Sequence, residues 1–236
     1  MNTKLDDALI VALDFPTVDE ARAMVQTLGD HCHFYKIGLE LLFRGGQELA
    51  LEIKDQGKRV FIDAKLLDIA TTVEKATRNI AGLGADFLTL HITDRQTLEA
   101  AVRGREEADL KLLGVTVMTS LSETDLAEQG IQDTLVRDLV LRRAALAQDV
   151  GLDGVVASGL EAADIALERG ANFLIVTPGI RPLGADAQDQ NRVRTPKMAI
   201  EAGAQHLVVG RPICQADDPA RAAAAIRDEI AAALSH

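Results

Sequence analysis

Four charged residues of alternating sign follow or lie within apolar runs of the sequence. Lys36 lies within one such run, Asp63 and Lys65 stand two residues apart at the end of another, and Asp68 follows three residues later. Because a strand points alternate side chains to one face, we expect Asp63 and Lys65 to lie side by side. Buried charges at a strand's end usually mark a functional site, so the four residues predict a mutually neutralising tetrad. Ordinary ion pairs at the rim of the fold are the alternative.

Two later apolar runs end in short segments rich in glycine, proline and arginine. Gly210 would let a backbone N–H approach an anion closely, and Arg211 can offer a forked pair of charged donors. A plain turn at Gly210 is the alternative. Arg181 opens a long polar segment in which Gln190 lies, and the two predict a lid of about residues 179–195 that closes over an anionic ligand.

The five histidines do not form a metal-binding motif. His31 and His33 stand two residues apart, and neither HxxxH nor HExxH occurs. His91 could bind a metal together with Asp63 or Asp68, but a packed or hydrogen-bonded histidine is the expectation, and no metal is predicted. P-loop and GxSxG sequences are also absent, which removes two common nucleotide and hydrolase sites.

Short apolar runs alternate with longer segments rich in Ala, Glu, Arg and Leu. The runs are nearly continuous in Val, Ile, Leu and Phe, which is typical of parallel strands covered on both faces. The longer segments suit helices. The predicted strands cover 9–15, 34–39, 59–65, 87–92, 112–118, 154–158, 173–176 and His206–Val209, and the predicted helices include 66–83, 96–107, 133–150 and Pro219–Leu234.

Eight strand–helix units in a chain of this length predict an α/β fold, a closed (β/α)8 TIM barrel, with an open doubly wound sheet as the alternative. No linker or change in composition divides the chain, so residues 1–236 are predicted to form a single domain. The active site of such a barrel lies where the strands end, and this would bring the charged residues together at one mouth.

The chain is acidic, with a formal net charge of −11 and only 3% aromatic residues among 236. Such a surface repels phosphate backbones and offers few rings for stacking, so no nucleic-acid partner is expected. The apolar run 8–13 is too short to span a membrane and lacks the basic flank of a signal peptide. Cys32 and Cys214 form no CxxC pair, and two unpaired thiols without an export signal favour the cytoplasm.

Taken together, these motifs resemble the orotidine 5′-phosphate decarboxylase family. The likeness runs from Leu9 to Pro212, in the family's order and approximate spacing. The residues that carry it are Asp14, Lys36, the run Asp63-x-Lys65-x-x-Asp68-Ile69, Thr119, the segment 177–182, Asp189-Gln190 and the segment 210–212. The Asp-x-Lys-x-x-Asp run occurs in related sugar-phosphate barrels too, but its combination with the Gly-Ile-Arg-Pro segment and the later Asp-Gln is specific.

The resemblance implies a homodimer with shared active sites that converts orotidine 5′-phosphate to UMP and carbon dioxide, the last step of UMP biosynthesis, without metal or organic cofactor. In that family pattern, Lys65 protonates ring carbon 6, Asp63 lies beside the substrate carboxylate, and Lys36 holds Asp63 and the ribose. The remaining implied contacts are Asp14 to ribose hydroxyls, Thr119 to the pyrimidine, Arg181, Gln190, Gly210 and Arg211 to the phosphate, and Asp68, Ile69 and Thr72 to the partner subunit's site.

Two other functions are compatible with parts of this pattern. A magnesium-dependent sugar-phosphate decarboxylase or aldolase of the same superfamily would use the Asp-x-Lys-x-x-Asp run, although the predicted Arg181–Gln190 lid disfavours it. A barrel that binds a nucleotide without catalysis is the second alternative, and the intact tetrad disfavours that one.

Overall fold

The computed structural model describes residues 3–132, 134–182 and 194–235, and the side chains of residues 3 and 4 are not among the described parts. Eight parallel strands pair in sequence order, and the first also pairs with the last, so the sheet is a closed barrel. The predicted (β/α)8 barrel is therefore confirmed, and the doubly wound sheet is excluded. The strands are β1 Leu9–Ala12, β2 Phe34–Gly38, β3 Arg59–Leu66, β4 Phe87–His91, β5 Lys111–Val115, β6 Gly154–Val156, β7 Leu174–Thr177 and β8 His206–Val209.

The described helices surround this barrel. They are α1 Thr3–Ala8, α2 Val18–Leu28, α3 Leu39–Leu42, α4 Gly46–Asp55, α5 Ala70–Gly82, α6 Arg95–Arg105, α7 Glu123–Glu128, α8 Val136–Asp149, α9 Ala162–Arg169, α10 Pro196–Glu201, α11 Arg211–Cys214 and α12 Pro219–Leu234. In the part of the chain that the structure describes, no helix is long and apolar enough to cross a membrane.

Several predicted boundaries differ from the observed ones. The strands predicted over 9–15 and 112–118 end at Ala12 and Val115, although Leu13 and Val117 beyond them are still buried. Apolar residues therefore continue beyond the end of each strand, because loops over the end of the barrel also bury side chains without extending the strand's hydrogen bonds. The helix predicted from residue 66 begins at Ala70, since β3 continues to Leu66 and an exposed turn follows it.

Two apolar layers hold the barrel together. The larger one lies between the strands and the helices, and the smaller one fills the barrel interior. In the interior layer the rings of Phe34 and Phe87 pack edge to face, with centroids 4.9 Å apart. Phe61 and Val208 also belong to it and line a cavity at the end of the barrel where the strands finish. The interior layer thus forms the bottom of the candidate site.

Gly104 allows α6 to pack directly against α5. A Cβ atom at this position would lie 2.2 Å from the carbonyl oxygen of Glu74 in α5, which is too close for any side chain. Since α5 begins at Ala70, directly after Asp68 and Ile69, this contact fixes the helix that follows the last charged residue of the Asp-x-Lys-x-x-Asp run.

Candidate active site

Two adjoining cavities open where the strands of the barrel end. Their volumes are about 330 and 340 Å³, and Lys36, Pro178 and Val208 line both. Each cavity has a different chemical character. We call the one that contains Arg181 and Arg211 the arginine cavity, and the one that contains Asp63 and Lys65 the lysine cavity.

A chain of four alternating charges crosses the border between the cavities. The Lys65 ammonium lies 2.8 Å from Asp63 Oδ2, and the Lys36 ammonium lies 3.4 Å from the same oxygen. On its other side Lys36 donates to Asp14 Oδ1 at 3.1 Å. Lys36 and Asp63 are both only 8% exposed. The structure thus brings Asp63, Lys65 and Lys36 together as the sequence suggests, with Asp14 as the fourth member.

Asp68 does not join this cluster within its own chain. It lies in the exposed turn after β3, where its Oδ1 accepts a hydrogen bond of 2.7 Å from the Ile69 backbone N–H. It has no ion pair with any residue that the structure describes. Ile69 is 71% exposed, and Thr72 is exposed in the first turn of α5. The tetrad predicted for Lys36, Asp63, Lys65 and Asp68 is therefore incomplete in the single chain, because Asp68 lies in the exposed turn beyond the end of β3.

The charge state of the cluster follows from mutual stabilisation. Burial by itself would lower the pKa of Lys36, but the carboxylates of Asp63 and Asp14 outweigh it and raise that pKa above its ordinary value. Burial would likewise raise the pKa of Asp63, yet the ammonium groups of Lys36 and Lys65 hold it below the usual range. Lys36 and Asp63 are accordingly both ionised at neutral pH.

Lys65 reaches the cluster from a distorted part of β3, not from a regular strand. Its φ angle of 47° lies in the left-handed region, which a lysine rarely adopts. The register with β4 runs from Ile62 opposite Leu88 to Leu66 opposite Leu90, so three residues of β3 face one residue of β4. The prediction that strand alternation places Asp63 and Lys65 together was therefore wrong in its reason, since a bulge presents them.

The residue opposite the bulge is Thr89, which belongs to none of the sequence motifs described above. Its hydroxyl donates to Asp63 Oδ1 at 2.8 Å and accepts from the Lys65 backbone N–H at 3.0 Å. The available signal was one polar residue inside the apolar run of β4. His91, two residues further along β4, has its pKa lowered by burial and by the nearby charges of Lys65 and Arg143.

The arginine cavity contains the residues predicted to hold an anion. Arg181 is buried and donates from Nη1 to the Ile180 carbonyl at 2.9 Å, and Arg211 begins α11. Gly210 precedes it, and a Cβ atom there would touch Ala12 and Asp14, two other residues of the cavity wall. Two guanidinium groups in one cavity favour binding of a phosphate.

The two ends of the predicted lid lie among the described residues. Gln190 and the rest of 183–193 lie outside the described residues. The ends meet beside the arginine cavity, where the backbone N–H of Arg181 donates to the Arg194 carbonyl at 3.0 Å and Ile180 pairs with Arg194. The described ends of the predicted lid thus lie next to each other at the rim of this cavity.

The lysine cavity has a mixed lining. Thr119 and Ser120 line one part of it, and Phe61, Val115, Val117 and Val156 give it apolar walls. A flat ring with polar edges fits such a lining. Among the described residues, no group of three or more His, Cys, Asp or Glu side chains could hold a metal ion.

Comparison with known proteins gives a consistent assignment. The model of the orotidine 5′-phosphate decarboxylase / HUMPS family matches residues 7–226. Proteins named orotidine 5′-phosphate decarboxylase from Caulobacter sp. (strain K31) and Rhodopseudomonas palustris (strain BisB5) are 50% and 51% identical to this chain. Both alignments cover 96% of it, and they cover 98% and 96% of the two relatives.

A solved structure agrees with these relatives. The crystal structure of orotidine 5′-phosphate decarboxylase from Lactobacillus acidophilus superposes with a TM-score of 0.84 at 36% sequence identity. That superposition covers 95% of this chain and 99% of the other. The family match spans nearly all of the barrel, including every described residue of the two cavities. This chain therefore belongs to the orotidine 5′-phosphate decarboxylase / HUMPS family.

Proposed function

We propose that the protein decarboxylates orotidine 5′-phosphate to UMP and carbon dioxide in pyrimidine biosynthesis. The observation that carries this proposal is the Asp14–Lys36–Asp63–Lys65 charge chain beside a cavity with two arginines. A nucleotide with one phosphate and a carboxylated ring has both features that these cavities match. Relatives of about 50% identity carry the name of this activity.

The two cavities suggest how the substrate lies. Its phosphate binds in the arginine cavity to Arg181 and Arg211, with the backbone of Gly210 and the side chain of Gln190 as further donors. The ribose lies at the border, where Lys36 and Asp14 form their ion pair and can exchange it for hydroxyl contacts. The pyrimidine enters the lysine cavity and lies against Thr119.

The chemical step requires a proton donor at ring carbon 6. When the bond to the carboxylate breaks, carbon dioxide leaves and its electron pair stays on carbon 6, where no cofactor accepts it. The ammonium of Lys65 donates its proton to that carbon and is later reprotonated from solvent. Fixed charges stabilise the carbanion-like transition state more than the bound substrate, because they are already oriented before the reaction begins.

We propose that this reaction needs no metal. Both oxygens of Asp63 already have donors, since Oδ2 takes the two lysines and Oδ1 takes the Thr89 hydroxyl. A divalent cation at this carboxylate would have to displace two ammonium groups. That arrangement disfavours the magnesium-dependent decarboxylase or aldolase of the same superfamily.

We further propose a homodimer in which each subunit completes its partner's site. Asp68, Ile69 and Thr72 would each enter the partner's lysine cavity, where Asp68 would lie near the partner's Lys65. Ile69 and Leu67 support this, because both are exposed, Leu67 at 62%, and they flank an acid that has no ion pair in its own chain among the described residues. Two-fold symmetry makes the exchange reciprocal.

The remaining proposals concern organisation and location. We propose one barrel domain over residues 1–236, with 179–195 as a lid over the bound phosphate. The meeting of the lid's ends at Ile180 and Arg194 supports a closing segment. A cytoplasmic location is proposed because Cys32 and Cys214 are both free thiols.

One assay separates the proposed function from its alternatives. The purified protein is incubated with orotidine 5′-phosphate with and without EDTA, and the release of carbon dioxide and the formation of UMP are followed. Equal rates in both samples are expected. Loss of activity with EDTA would indicate the metal-dependent alternative, and binding of UMP without carbon dioxide release would indicate a nucleotide-binding protein.

A further inference from the structure

Thr89 faces the distorted part of β3 that carries both Asp63 and Lys65. Because β3 places three residues opposite this one, the regular ladder between β3 and β4 is interrupted here. The Lys65 backbone N–H, which the ladder would otherwise satisfy, donates to the Thr89 hydroxyl instead. The side chain of Thr89 therefore replaces a missing strand contact.

The direction of the Thr89 hydroxyl is determined by its two neighbours. A hydroxyl has one hydrogen to donate, and the Lys65 N–H already takes one of its lone pairs. The ionised carboxylate of Asp63 can only accept, so the hydroxyl hydrogen must point to Asp63 Oδ1. Asp63 Oδ2 then remains for Lys65 and Lys36. One hydroxyl thus orients the carboxylate and supports the lysine backbone at the same time.

Burial makes this arrangement hard to replace. Thr89 is fully buried, so no solvent is available to take over its hydrogen bonds. Burial alone does not create such bonds in this protein, because the hydroxyls of Thr77 and Thr177 are equally buried and have no hydrogen-bond partner among the described residues. Two bonds of good length to the residues of the charge chain therefore distinguish Thr89 from these other threonines.

We propose that Thr89 is a positioning residue for decarboxylation, which holds the Asp63 carboxylate and the Lys65 backbone in the geometry of the 2.8 Å Lys65–Asp63 contact. The proposal rests on the proposed function above. Thr89 does not itself line either cavity, and it acts through its two partners. It should therefore affect the chemical step and leave the phosphate contacts unchanged.

The test uses substitutions that separate the hydroxyl from the methyl group. Thr89→Val keeps the shape and removes both hydrogen bonds, and Thr89→Ser keeps the hydroxyl and removes the methyl. A buried hydrogen bond to a charged group is worth enough to lower kcat of Thr89→Val about 10- to 100-fold, with KM changed less than about threefold. Thr89→Ser should recover most of kcat, to within about fivefold of wild type.

Thr77→Val is the matched control. It makes the same change at an equally buried threonine whose hydroxyl has no partner, so folding and kcat should both stay at the wild-type level. The proposal is overturned if Thr89→Val keeps kcat within twofold of wild type, or if Thr89→Ser is as slow as Thr89→Val. Wild-type protein that releases no carbon dioxide would instead contradict the proposed function, and so the two failures are distinguishable.

Discussion

The shared active site predicts that two inactive variants restore each other's activity. Asp68→Ala removes a carboxylate that has no ion pair in its own chain among the described residues, and Lys65→Ala removes the proton donor. In a mixed dimer one site carries both defects. The other site combines an intact Lys65 with an intact Asp68 from the partner subunit and should work.

The size of the recovery follows from the symmetry of the dimer. When equal amounts of the two variants exchange subunits at random, about half of the dimers are mixed, and each has one working site of two. Recovery should therefore approach roughly a quarter of wild-type activity. Each variant is given a different affinity tag, so that doubly purified mixed dimers can be counted and assayed for carbon dioxide release.

A matched control distinguishes sharing from a general effect of mixing. Asp63 and Lys65 contact each other within one chain at 2.8 Å, so mixing Asp63→Ala with Lys65→Ala leaves one defect in each site. That mixture should stay inactive. The reasoning is refuted if mixed Asp68→Ala and Lys65→Ala dimers form and remain inactive, or if the Asp63→Ala control recovers to the same extent.

Three further predictions concern the phosphate contact, the effect of pH and the packing of the helices. Arg211→Ala should raise the Kd for UMP at least about tenfold and change the Kd for uridine much less, measured by calorimetry, because only the monophosphate uses this charge; equal losses would place Arg211 elsewhere. Burial lowers the pKa of His206 in the folded state, so unfolding takes up a proton below the ordinary histidine pKa, and the free energy of unfolding should decrease as pH falls from 7 to 5. His206 should contribute up to about 1.4 kcal/mol per pH unit to the dependence of the free energy of unfolding on pH. The amide of His206→Asn can still donate to the Asp7 carbonyl, but this variant should lose the contribution. An unchanged pH dependence in His206→Asn would contradict the assignment to His206. Gly104→Ala should lower the free energy of unfolding by about 1–3 kcal/mol in urea titrations, because its Cβ would overlap the Glu74 carbonyl. The control Gly82→Ala has nothing within 4 Å of its Cβ and should leave the free energy of unfolding unchanged or raise it by up to about 1 kcal/mol. Equal effects of the two substitutions would be evidence against the packing argument.

The fold was predictable because its elements depend on local patterns. Continuous apolar runs indicate parallel strands that are covered on both faces, and the helix Pro219–Leu234 was predicted with its observed bounds. Closure of the barrel was harder to predict, since an open doubly wound sheet produces the same runs. It depends on pairing between β1 and β8, about 200 residues apart, and no local pattern reports such pairing.

The candidate site was predictable in its residue types and less so in its geometry. Asp63, Lys65 and Lys36 meet at one mouth of the barrel, as their positions in two apolar runs suggested. The left-handed conformation of Lys65 had no signal, because lysine does not favour it and the residue that hydrogen-bonds its backbone N–H, Thr89, lies on another strand. Asp14 could have been found as a partner of Lys36, since β1 and β2 are neighbours and Ala12 pairs with Lys36.

The most direct test of the proposed mechanism is the turnover of Lys65→Ala, measured as carbon dioxide release beside the Kd for UMP. Loss of the proton donor should lower kcat by at least about a thousandfold, while UMP still binds through the arginine cavity. Lys111→Ala, at the start of β5 and so at the opposite end of the barrel, is the control and should retain wild-type turnover. A Lys65→Ala protein that binds UMP and turns over within tenfold of wild type would contradict the assignment of Lys65 as the proton donor.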